Sequence, residues 1–209
     1  YLQRRRQNIR RMQKHLPERV QKGQGTMRAF TFENATKIYF GGGCVKEHLL
    51  EAVKPYGETV MLAYGGGSIK TNGIYQEVMD VLKLAGKQVI EFSGIMPNPT
   101  YSKVMEGKKV VQENQVDLIL AVGGGSVMDC SKAISMAAAT DKDVWEEYWI
   151  KKGEIDFEPV PVGVIVTVVG TGSEVNGEGV ITHEEQKIKT SRNYPRCNPV
   201  FAMMDPKYT

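Results

Sequence analysis

Residues that bind metals or form disulfides are scarce in this chain of 209 residues. The only cysteines are Cys44, Cys130 and Cys197. They are odd in number, far apart and in no CxxC pair, which predicts neither a disulfide framework nor a zinc site and is typical of a reducing compartment. None of the three histidines has a cysteine, histidine or carboxylate partner at metal-ligand spacing. We therefore expect no metal site within this chain.

Long apolar runs and the common nucleotide and hydrolase motifs are also missing. No apolar run reaches the roughly 20 residues that span a bilayer, and the first residues lack the basic, apolar and small segments of a signal peptide. We therefore expect a cytoplasmic protein without a membrane partner. The sequence contains no Gly-x-Ser-x-Gly elbow, no Walker lysine and no Gly-x-Gly-x-x-Gly followed about 20 residues later by an acid. The ordinary serine-hydrolase, P-loop and Rossmann fingerprints are thus excluded.

The positive charge is concentrated in one segment. Residues 1–26 contain eight basic residues and a single acid, whereas the rest of the chain has 19 basic and 23 acidic residues. The acidic balance of that remainder predicts no nucleic-acid partner. The basic tail is compatible with an amphipathic helix that binds RNA or a membrane surface, or with a targeting presequence. We favour a cloning-derived or untranslated-leader extension, because Met27 is a plausible initiator and the tail contains no serine.

The stretch from Leu118 to Asp129 joins an apolar run, three glycines, a serine and an aspartate. This order predicts a buried strand, a turn without side chains and the first turn of a helix that extends from Val127 to Ala139. Glycines let a ligand approach the backbone N–H groups, and the helix dipole favours an anion there. We expect the diphosphate of a dinucleotide. An ordinary tight turn is the alternative, and in either case Ser126 and Asp129 are expected to form a capping pair.

Predicted strands and helices alternate along the chain. Strands are predicted at 59–64, 88–92, 118–122, 160–168 and 199–204, and helices at 45–56, 75–84, 101–113 and 127–139. Near-continuous apolar strands joined by helices indicate an α/β fold with a doubly wound, mostly parallel, Rossmann-like sheet covered on both faces. The segments 179–182 and 187–190 are predicted to add a β-hairpin. Phe30–Phe32 and Lys37–Phe40 are two further β pieces, compatible with a hairpin of their own.

Two more glycine loops follow predicted strands, Gly65–Lys70 and Gly170–Asn176. In a parallel sheet these loops gather with the first one at the carboxyl ends of the strands. An NAD-preferring site usually has an acid at a strand end to bind the ribose 2′-hydroxyl. The first of the two loops contains no acid; instead, Ser68 can donate to a 2′-phosphate and Lys70 can neutralise it. NADP(H) is therefore the predicted preference, with NAD(H) also accepted, and an ordinary turn with a solvated lysine is the alternative.

Five motifs follow one another between Met27 and Thr209: Phe40-Gly-Gly-Gly, Tyr64-Gly-Gly-Gly-Ser-Ile-Lys, Pro97-Asn-Pro, Leu120-Ala-Val-Gly-Gly-Gly-Ser-Val-Met-Asp and Gly170-Thr-Gly-Ser-Glu. In this order they resemble the iron-containing (group III) alcohol dehydrogenases, and within them the butanol-dehydrogenase-like, NADPH-dependent aldehyde reductase branch. The resemblance implies a dinucleotide-binding domain at 27–209. It also implies that the family's C-terminal all-helical metal domain, with its Asp-x-x-x-His pair and two later histidines, is absent from this chain.

The resemblance assigns residues of this sequence to parts of the cofactor. Those on the diphosphate and the adjoining ribose are Gly124, Gly125, Ser126 and Asp129. Those around the adenosine ribose and its 2′-phosphate are Gly65, Gly66, Ser68 and Lys70. Those along the rest of the cofactor cleft are Asn98, Thr167, Thr171, Asn176 and Lys189. No residue of this chain receives a catalytic or metal-binding role.

The function implied by the resemblance is that of the cofactor-binding half of a metal-dependent oxidoreductase, which transfers hydride between NADP(H) and a primary alcohol or aldehyde. Fe²⁺ or Zn²⁺ is expected only in the full-length protein, and the chain alone is expected to be inactive. We also expect a homodimer, with the Phe30–Phe40 pieces as candidate edge strands. Two alternatives stay open. One is an NAD-dependent relative similar to glycerol dehydrogenase, and the other is a stand-alone nucleotide-binding module whose basic tail binds nucleic acid.

Overall fold

A six-stranded sheet forms the centre of residues 34–209, the part of the chain that this computed structural model describes. Its strands are β1 (Lys37–Phe40), β2 (Thr59–Tyr64), β3 (Gln88–Phe92), β4 (Leu118–Gly123), β5 (Val162–Val166) and β8 (Phe201–Met204). Two further strands, β6 (Glu178–His183) and β7 (Ile188–Asn193), form a separate two-stranded sheet. The basic tail at 1–26 and the β piece predicted at Phe30–Phe32 lie outside the described residues.

Five α-helices occur among these strands. They are α1 (Cys44–Val53), α2 (Ser68–Thr71), α3 (Ile74–Leu84), α4 (Tyr101–Glu113) and α5 (Gly125–Ala138). A π-helical segment follows at Trp145–Ile150, with short 3-10 turns at Ser173–Val175 and Pro195–Cys197. None of the helices in residues 34–209 is both long and apolar enough to span a bilayer.

All neighbouring strands of the large sheet are parallel, in the order β1-β8-β5-β4-β2-β3. From β2 the chain crosses to β3 at one edge, whereas from β4 it crosses to β5 in the opposite direction. The winding therefore reverses between β2 and β4, and this reversal is the switch point at which open α/β sheets bind ligands. The predicted doubly wound, Rossmann-like sheet is confirmed.

Both faces of the sheet are covered because its central strands are apolar along their whole length. Every residue of β4 is buried. Ile119 and Ala121 pack with α4, α5 and the π-helical segment on one face, and Leu120 and Val122 pack with α1 and α3 on the other. Since successive side chains of a strand point to opposite faces, one apolar run contributes to two cores.

The predicted β-hairpin is also confirmed, since β6 and β7 pair in antiparallel fashion. It lies close to α5, where a Cβ atom on Gly179 would be only 3.4 Å from the carbonyl oxygen of Asp129. At the end of β6, His183 stacks on Tyr101 with 5.2 Å between ring centroids and lies 4.9 Å from the ring of Trp145. These contacts attach the tip of the hairpin to the first turn of α4.

Helix α5 begins at Gly125, two residues before the predicted start at Val127. Its N-cap is Gly124, which is extended and provides no side-chain cap. Ser126 therefore lies inside the first turn, and the predicted capping pair of Ser126 and Asp129 is wrong. The glycine run explains the difference, because residues without a Cβ atom let the chain enter the helix directly after β4, before Ser126 is reached.

Candidate cofactor-binding site

Two glycine loops lie side by side at the switch point of the sheet. Gly65–Gly67 follows β2, and Gly123–Gly125 ends β4 and starts α5. A Cβ atom on Gly65 would lie 3.9 Å from Cγ2 of Val127 and 3.2 Å from the carbonyl oxygen of Ile95. The loops after β2, β3 and β4 are therefore in direct contact, as the sequence predicted for loops at the carboxyl ends of parallel strands.

The N-terminus of α5 opens toward the third glycine loop. Thr167, just after β5, donates its N–H to the carbonyl oxygen of Gly123 (3.0 Å). A Cβ atom on Gly124 would lie 3.0 Å from Cβ of Val168, and one on Gly125 would lie 2.7 Å from Cγ2 of Thr171. The two glycines thus make room for this loop. The first N–H groups of a helix have no intrahelical acceptor, so this end of α5 favours an anionic ligand.

A buried lysine anchors the segment that follows the third loop. Lys132, on α5, is 2% exposed. Its ammonium donates to the hydroxyl (2.7 Å) and carbonyl (3.0 Å) oxygens of Ser173, and to the carbonyl (3.1 Å) and Oδ1 (3.3 Å) oxygens of Asn176. Burial lowers the pKa of Lys132 to about 8, against the attraction of nearby Asp129.

Asp129 lies one turn earlier on the same helix and holds the same segment. Its Oδ1 accepts a hydrogen bond from the hydroxyl of Ser173 (2.5 Å), and its Oδ2 accepts one from the N–H of Val180 (3.1 Å). Its Oδ1 is also 3.7 Å from the Lys132 ammonium. The carboxylate therefore connects α5 to both the third loop and β6. Its predicted contact with the diphosphate or ribose stays a prediction.

Asn98 and Lys189 meet on the other side of the hairpin. The ammonium of Lys189, on β7, donates to Oδ1 of Asn98 (2.5 Å). Asn98 has φ +56°, in the left-handed region that asparagine tolerates better than most residues. The N–H of Thr182 donates to the carbonyl oxygen of Pro99 (2.9 Å), which brings the hairpin and the Pro97–Pro99 loop together.

An acid from a neighbouring strand pairs with Lys70, the cation predicted for the 2′-phosphate. Glu91, near the end of β3, accepts hydrogen bonds from the hydroxyls of Tyr64 (2.5 Å) and Tyr75 (2.6 Å) and from the ammonium of Lys70 (2.9 Å). The hydrogen bonds from Tyr64, Tyr75 and Lys70, in that order, lower the pKa of Glu91 to about 2. Lys70, predicted to neutralise a 2′-phosphate, thus already has a carboxylate partner within the protein.

This cluster borders a cavity of about 300 Å³ that is lined by Gly65–Gly67, Tyr64, Lys70, Ser93 and Gly94. The N–H of Gly94 donates to the carbonyl oxygen of Gly65 (3.0 Å), which joins the loops that follow β2 and β3. Ser68 is the first residue of α2 and lies next to Gly67. Gly65, Gly66 and Lys70 thus line the cavity. The predicted contacts of these residues and of Ser68 with the adenosine ribose and its 2′-phosphate stay predictions.

The remaining predicted residue, Asn176, is committed to the protein itself. Its Nδ2 donates to the carbonyl oxygen of Gly172 (2.9 Å), and its Oδ1 accepts from the N–H of Glu178 (2.9 Å). It therefore shapes the third loop. Its predicted contact with the cofactor is untested, as are the individual cofactor contacts of the other candidate residues.

Four residues of this region were not predicted. They are Tyr75, Glu91, Lys132 and Ser173. Two of them carried a signal in the sequence. Lys132 is the only basic residue of a helix that is otherwise mostly small and apolar, and Glu91 interrupts the apolar strand 88–92.

Metal-ligating side chains do not come together in the described part of the chain. Within residues 34–209, no group of three or more histidine, cysteine, aspartate or glutamate side chains is placed to hold a metal ion. Burial raises the pKa of the thiols of Cys130 and Cys197 to about 12, and in Cys197 the nearby Lys132 opposes this rise. The described residues therefore do not fit a metal centre, and we assign them no metal chemistry.

Comparison with known proteins shows which family this chain matches. The family model of iron-containing alcohol dehydrogenases matches residues 35–206. A probable NADH-dependent butanol dehydrogenase 1 of Bacillus subtilis is 44% identical over 183 residues, which are 88% of this chain and 46% of the relative. The NADPH-dependent aldehyde reductase YqhD of Escherichia coli is 38% identical, with 88% of this chain and 46% of the relative covered.

Solved structures agree with these matches. The crystal structure of an NADH-dependent butanol dehydrogenase A from Thermotoga maritima superposes with a TM-score of 0.79 and 38% identity, over 86% of this chain and 45% of that one. The chain therefore spans about half the length of the relatives that it matches. With five ordered motifs, a common fold and a family model that covers most of its length, this chain belongs to the iron-containing alcohol dehydrogenase family.

Proposed function

We propose that this chain is the dinucleotide-binding part of an oxidoreductase that transfers hydride between NAD(P)(H) and a primary alcohol or aldehyde. The observation that carries the proposal is the meeting of three glycine loops at the switch point, around the N-terminus of α5. Backbone N–H groups and the helix dipole would hold the diphosphate there, with Gly124, Gly125 and Ser126 closest to it. Residues 27–209 are the proposed extent of this domain.

NADP(H) remains the proposed preference. Lys70 lines the cavity beside Gly65–Gly67, and Ser68 follows Gly67 as the first residue of α2. An ammonium and a hydroxyl are groups that can bind a 2′-phosphate. The pairing of Lys70 with Glu91 reduces this attraction, so we expect the preference to be modest and NADH to bind as well.

The chemical step is proposed for the whole protein. Within residues 34–209, no three histidine, cysteine, aspartate or glutamate side chains lie together in a way that could hold a metal ion. We therefore expect the chain to bind cofactor without turning over butanal, even with added Fe²⁺ or Zn²⁺. Turnover comparable with that of an intact family enzyme would contradict this part of the proposal.

A homodimer is also part of the proposal. Strand β1 lies at one edge of the large sheet, and its side chains Ile38 and Phe40 are 51% and 75% exposed among the described residues. An edge strand with exposed apolar side chains is a template for pairing with a second chain. Light scattering should show a dimer that Phe40→Lys weakens, and a monomeric wild-type chain would contradict the expectation.

The diphosphate site can be tested with one added charge. Ser126→Asp places a carboxylate in the first turn of α5, where it favours the helix but repels a bound diphosphate. We expect the Kd of NADPH, followed by its fluorescence, to rise about tenfold or more. Gln88→Glu adds the same charge at the exposed start of β3 and serves as the matched control. Gln88 lies at the amino ends of the parallel strands, whereas the candidate site lies at their carboxyl ends. Equal small effects of both variants would place the diphosphate elsewhere.

A further inference from the structure

Glu91 is held in one position by three donors beside the cavity of Gly65–Gly67. Each of its carboxylate oxygens accepts a tyrosine hydroxyl, and Oε2 also accepts the Lys70 ammonium. With its hydrogen bonds satisfied in this way, the carboxylate stays ionised at neutral pH and has little freedom to turn away. The arrangement is a built cluster, because its groups come from β2, α2, α3 and β3.

Lys70 is fixed by the same cluster. Its ammonium lies 4.5 Å from the ring centroid of Tyr75 and 5.3 Å from that of Tyr64, in addition to its ion pair with Glu91. Two aromatic faces and one carboxylate thus restrain the ammonium at the wall of the cavity. Since the ion pair has no net charge, its attraction for an incoming anion is much smaller than that of a lysine alone.

NADPH, which has a 2′-phosphate, and NADH, which has a free 2′-hydroxyl, should respond differently to the Lys70–Glu91 ion pair. The phosphate would approach a cation whose counter-charge is only 2.9 Å away, so it gains from Lys70 and loses to Glu91. A free 2′-hydroxyl carries no charge and is almost indifferent to the balance.

We propose that Glu91 sets the discrimination between NADPH and NADH, by pairing with Lys70 and so weakening the hold of that ammonium on a 2′-phosphate. The inference rests on the proposed function, since it requires the adenosine ribose to lie at this cavity. Glu91 touches Lys70 and the two tyrosines, and its effect on the cofactor is exerted through the charge of Lys70.

The test compares the Kd values of NADPH and NADH, measured from their fluorescence, for the full chain and its variants. Glu91→Gln removes the charge and keeps one of the two acceptor oxygens, so it also loses one tyrosine hydrogen bond. The Kd of NADH, which does not depend on the charge of Lys70, reports any effect of that loss. Glu91→Gln should tighten NADPH about five- to tenfold and change NADH less than twofold. Lys70→Gln should weaken NADPH about tenfold and again leave NADH within twofold. When Lys70→Gln is already present, the effect of Glu91→Gln on the Kd of NADPH should fall below half of its effect in the wild-type chain, because the ammonium that Glu91 pairs with is gone.

A matched control separates this effect from a change in overall charge. Glu113→Gln removes an exposed carboxylate that also faces a lysine, at 3.7 Å from Lys109 on the last turn of α4, and should change neither Kd. If both cofactors bind and Glu91→Gln leaves their ratio unchanged, the role of Glu91 is refuted while the proposed function stands. An effect that persists in full without Lys70 also refutes it. If the wild-type chain binds neither cofactor, the proposed function fails and the inference falls with it.

Discussion

Replacing Lys132 by methionine tests how the loop beside the candidate cofactor site is held. The ammonium of Lys132 donates to oxygens of Ser173 and Asn176 and lies 3.7 Å from Asp129, in a position that is 2% exposed. Methionine has a similar length and fills the same space without a charge. The variant thus removes both the cost of burying the ammonium and the hydrogen bonds that it makes.

The burial cost follows from the shift in pKa. Burial lowers the pKa of Lys132 from 10.5 to about 8. A shift of that size corresponds to about 3 kcal/mol. The folded pKa is the lower one, so between pH 8 and pH 10.5 the unfolded chain binds more protons and the contribution of Lys132 to stability rises with pH. Below pH 8 both states are protonated and the whole cost is present.

Methionine should therefore be nearly neutral at pH 7 and costly at pH 10. At pH 7 the relieved burial cost of about 3 kcal/mol is offset by two carbonyl groups left without a donor, at about 1–3 kcal/mol each. At pH 10 the wild-type amine is neutral and still donates, so only the loss remains. We expect the difference in the free energy of unfolding, wild type minus variant, to grow by about 2–3 kcal/mol from pH 7 to pH 10.

Urea unfolding at several pH values, followed by the fluorescence of the buried Trp145 and Trp149, measures this difference. Burial raises the pKa of the thiols of Cys130 and Cys197 to about 12, and removing Lys132 can only raise that of Cys197 further. Both folded thiols therefore stay protonated up to pH 10 in either protein, and their effect on stability cancels in the difference. Lys109→Met, on an exposed face of α4, is the matched control and should show no such growth. A difference constant within about 0.5 kcal/mol between pH 7 and pH 10 would refute the reasoning.

Three further variants test the frame around the site. Thr100→Ala removes the N-cap of α4 and should cost about 1 kcal/mol in urea unfolding, whereas Thr100→Ser should restore most of it; equal losses in both would show that the cap does not matter. Gly163→Ala should cost about 1–3 kcal/mol despite the general preference for alanine over glycine, because its Cβ would lie 2.2 Å from the ring of Phe201. Adding Phe201→Leu should recover part of this loss, and no recovery would contradict the assigned clash. Its hydrogen bonds lower the folded pKa of Glu91 to about 2, so its contribution to the free energy of unfolding is present above pH 4.5 and is lost as pH falls toward 2. The difference in stability between wild type and Glu91→Gln should therefore narrow over that range. A constant difference would argue against the cluster.

The position of the glycine loops was predictable because their signal is local. Each loop follows an apolar strand, and strands joined by helices must run parallel, so their carboxyl ends share one edge. No knowledge of the strand order was needed for that step. The start of α5 was predicted two residues late for the same local reason. A serine followed three residues later by an acid resembles a capping pair, and only the path of the glycine run shows that the helix has already begun.

The role of Lys132 was not predictable, because its partners are distant in sequence. Ser173 is 41 residues away and Asn176 is 44 residues away. A lysine on a helix is ordinarily solvated, and only the packing of the third loop over α5 excludes water here. The sequence shows that a basic residue lies among small and apolar residues of the helix. It does not show which groups accept its hydrogen bonds.

Glu91 was missed for a related reason. In the sequence it is visible only as an acid that interrupts an apolar strand, and its importance depends on the register of β3 against β2. That register pairs Glu91 with Leu62, two residues before Tyr64 and on the side from which Lys70 approaches. The sequence therefore predicted Lys70 as the cation of a 2′-phosphate site and did not predict its counter-ion, Glu91.

Helix α5 links the two ends of the candidate site. Its N-terminus faces the loops that are proposed to bind the diphosphate, and one turn further along, Asp129 and Lys132 hold the third loop and strand β6. A bound anion at the first turn and a well-placed loop at the second depend on the same rigid element. Loss of Lys132 should therefore weaken NADPH and NADH equally, since it displaces the loop without touching the 2′ position, whereas changes at Glu91 or Lys70 should affect NADPH alone. Unequal losses in Lys132→Met would show that the two ends of the site are not independent.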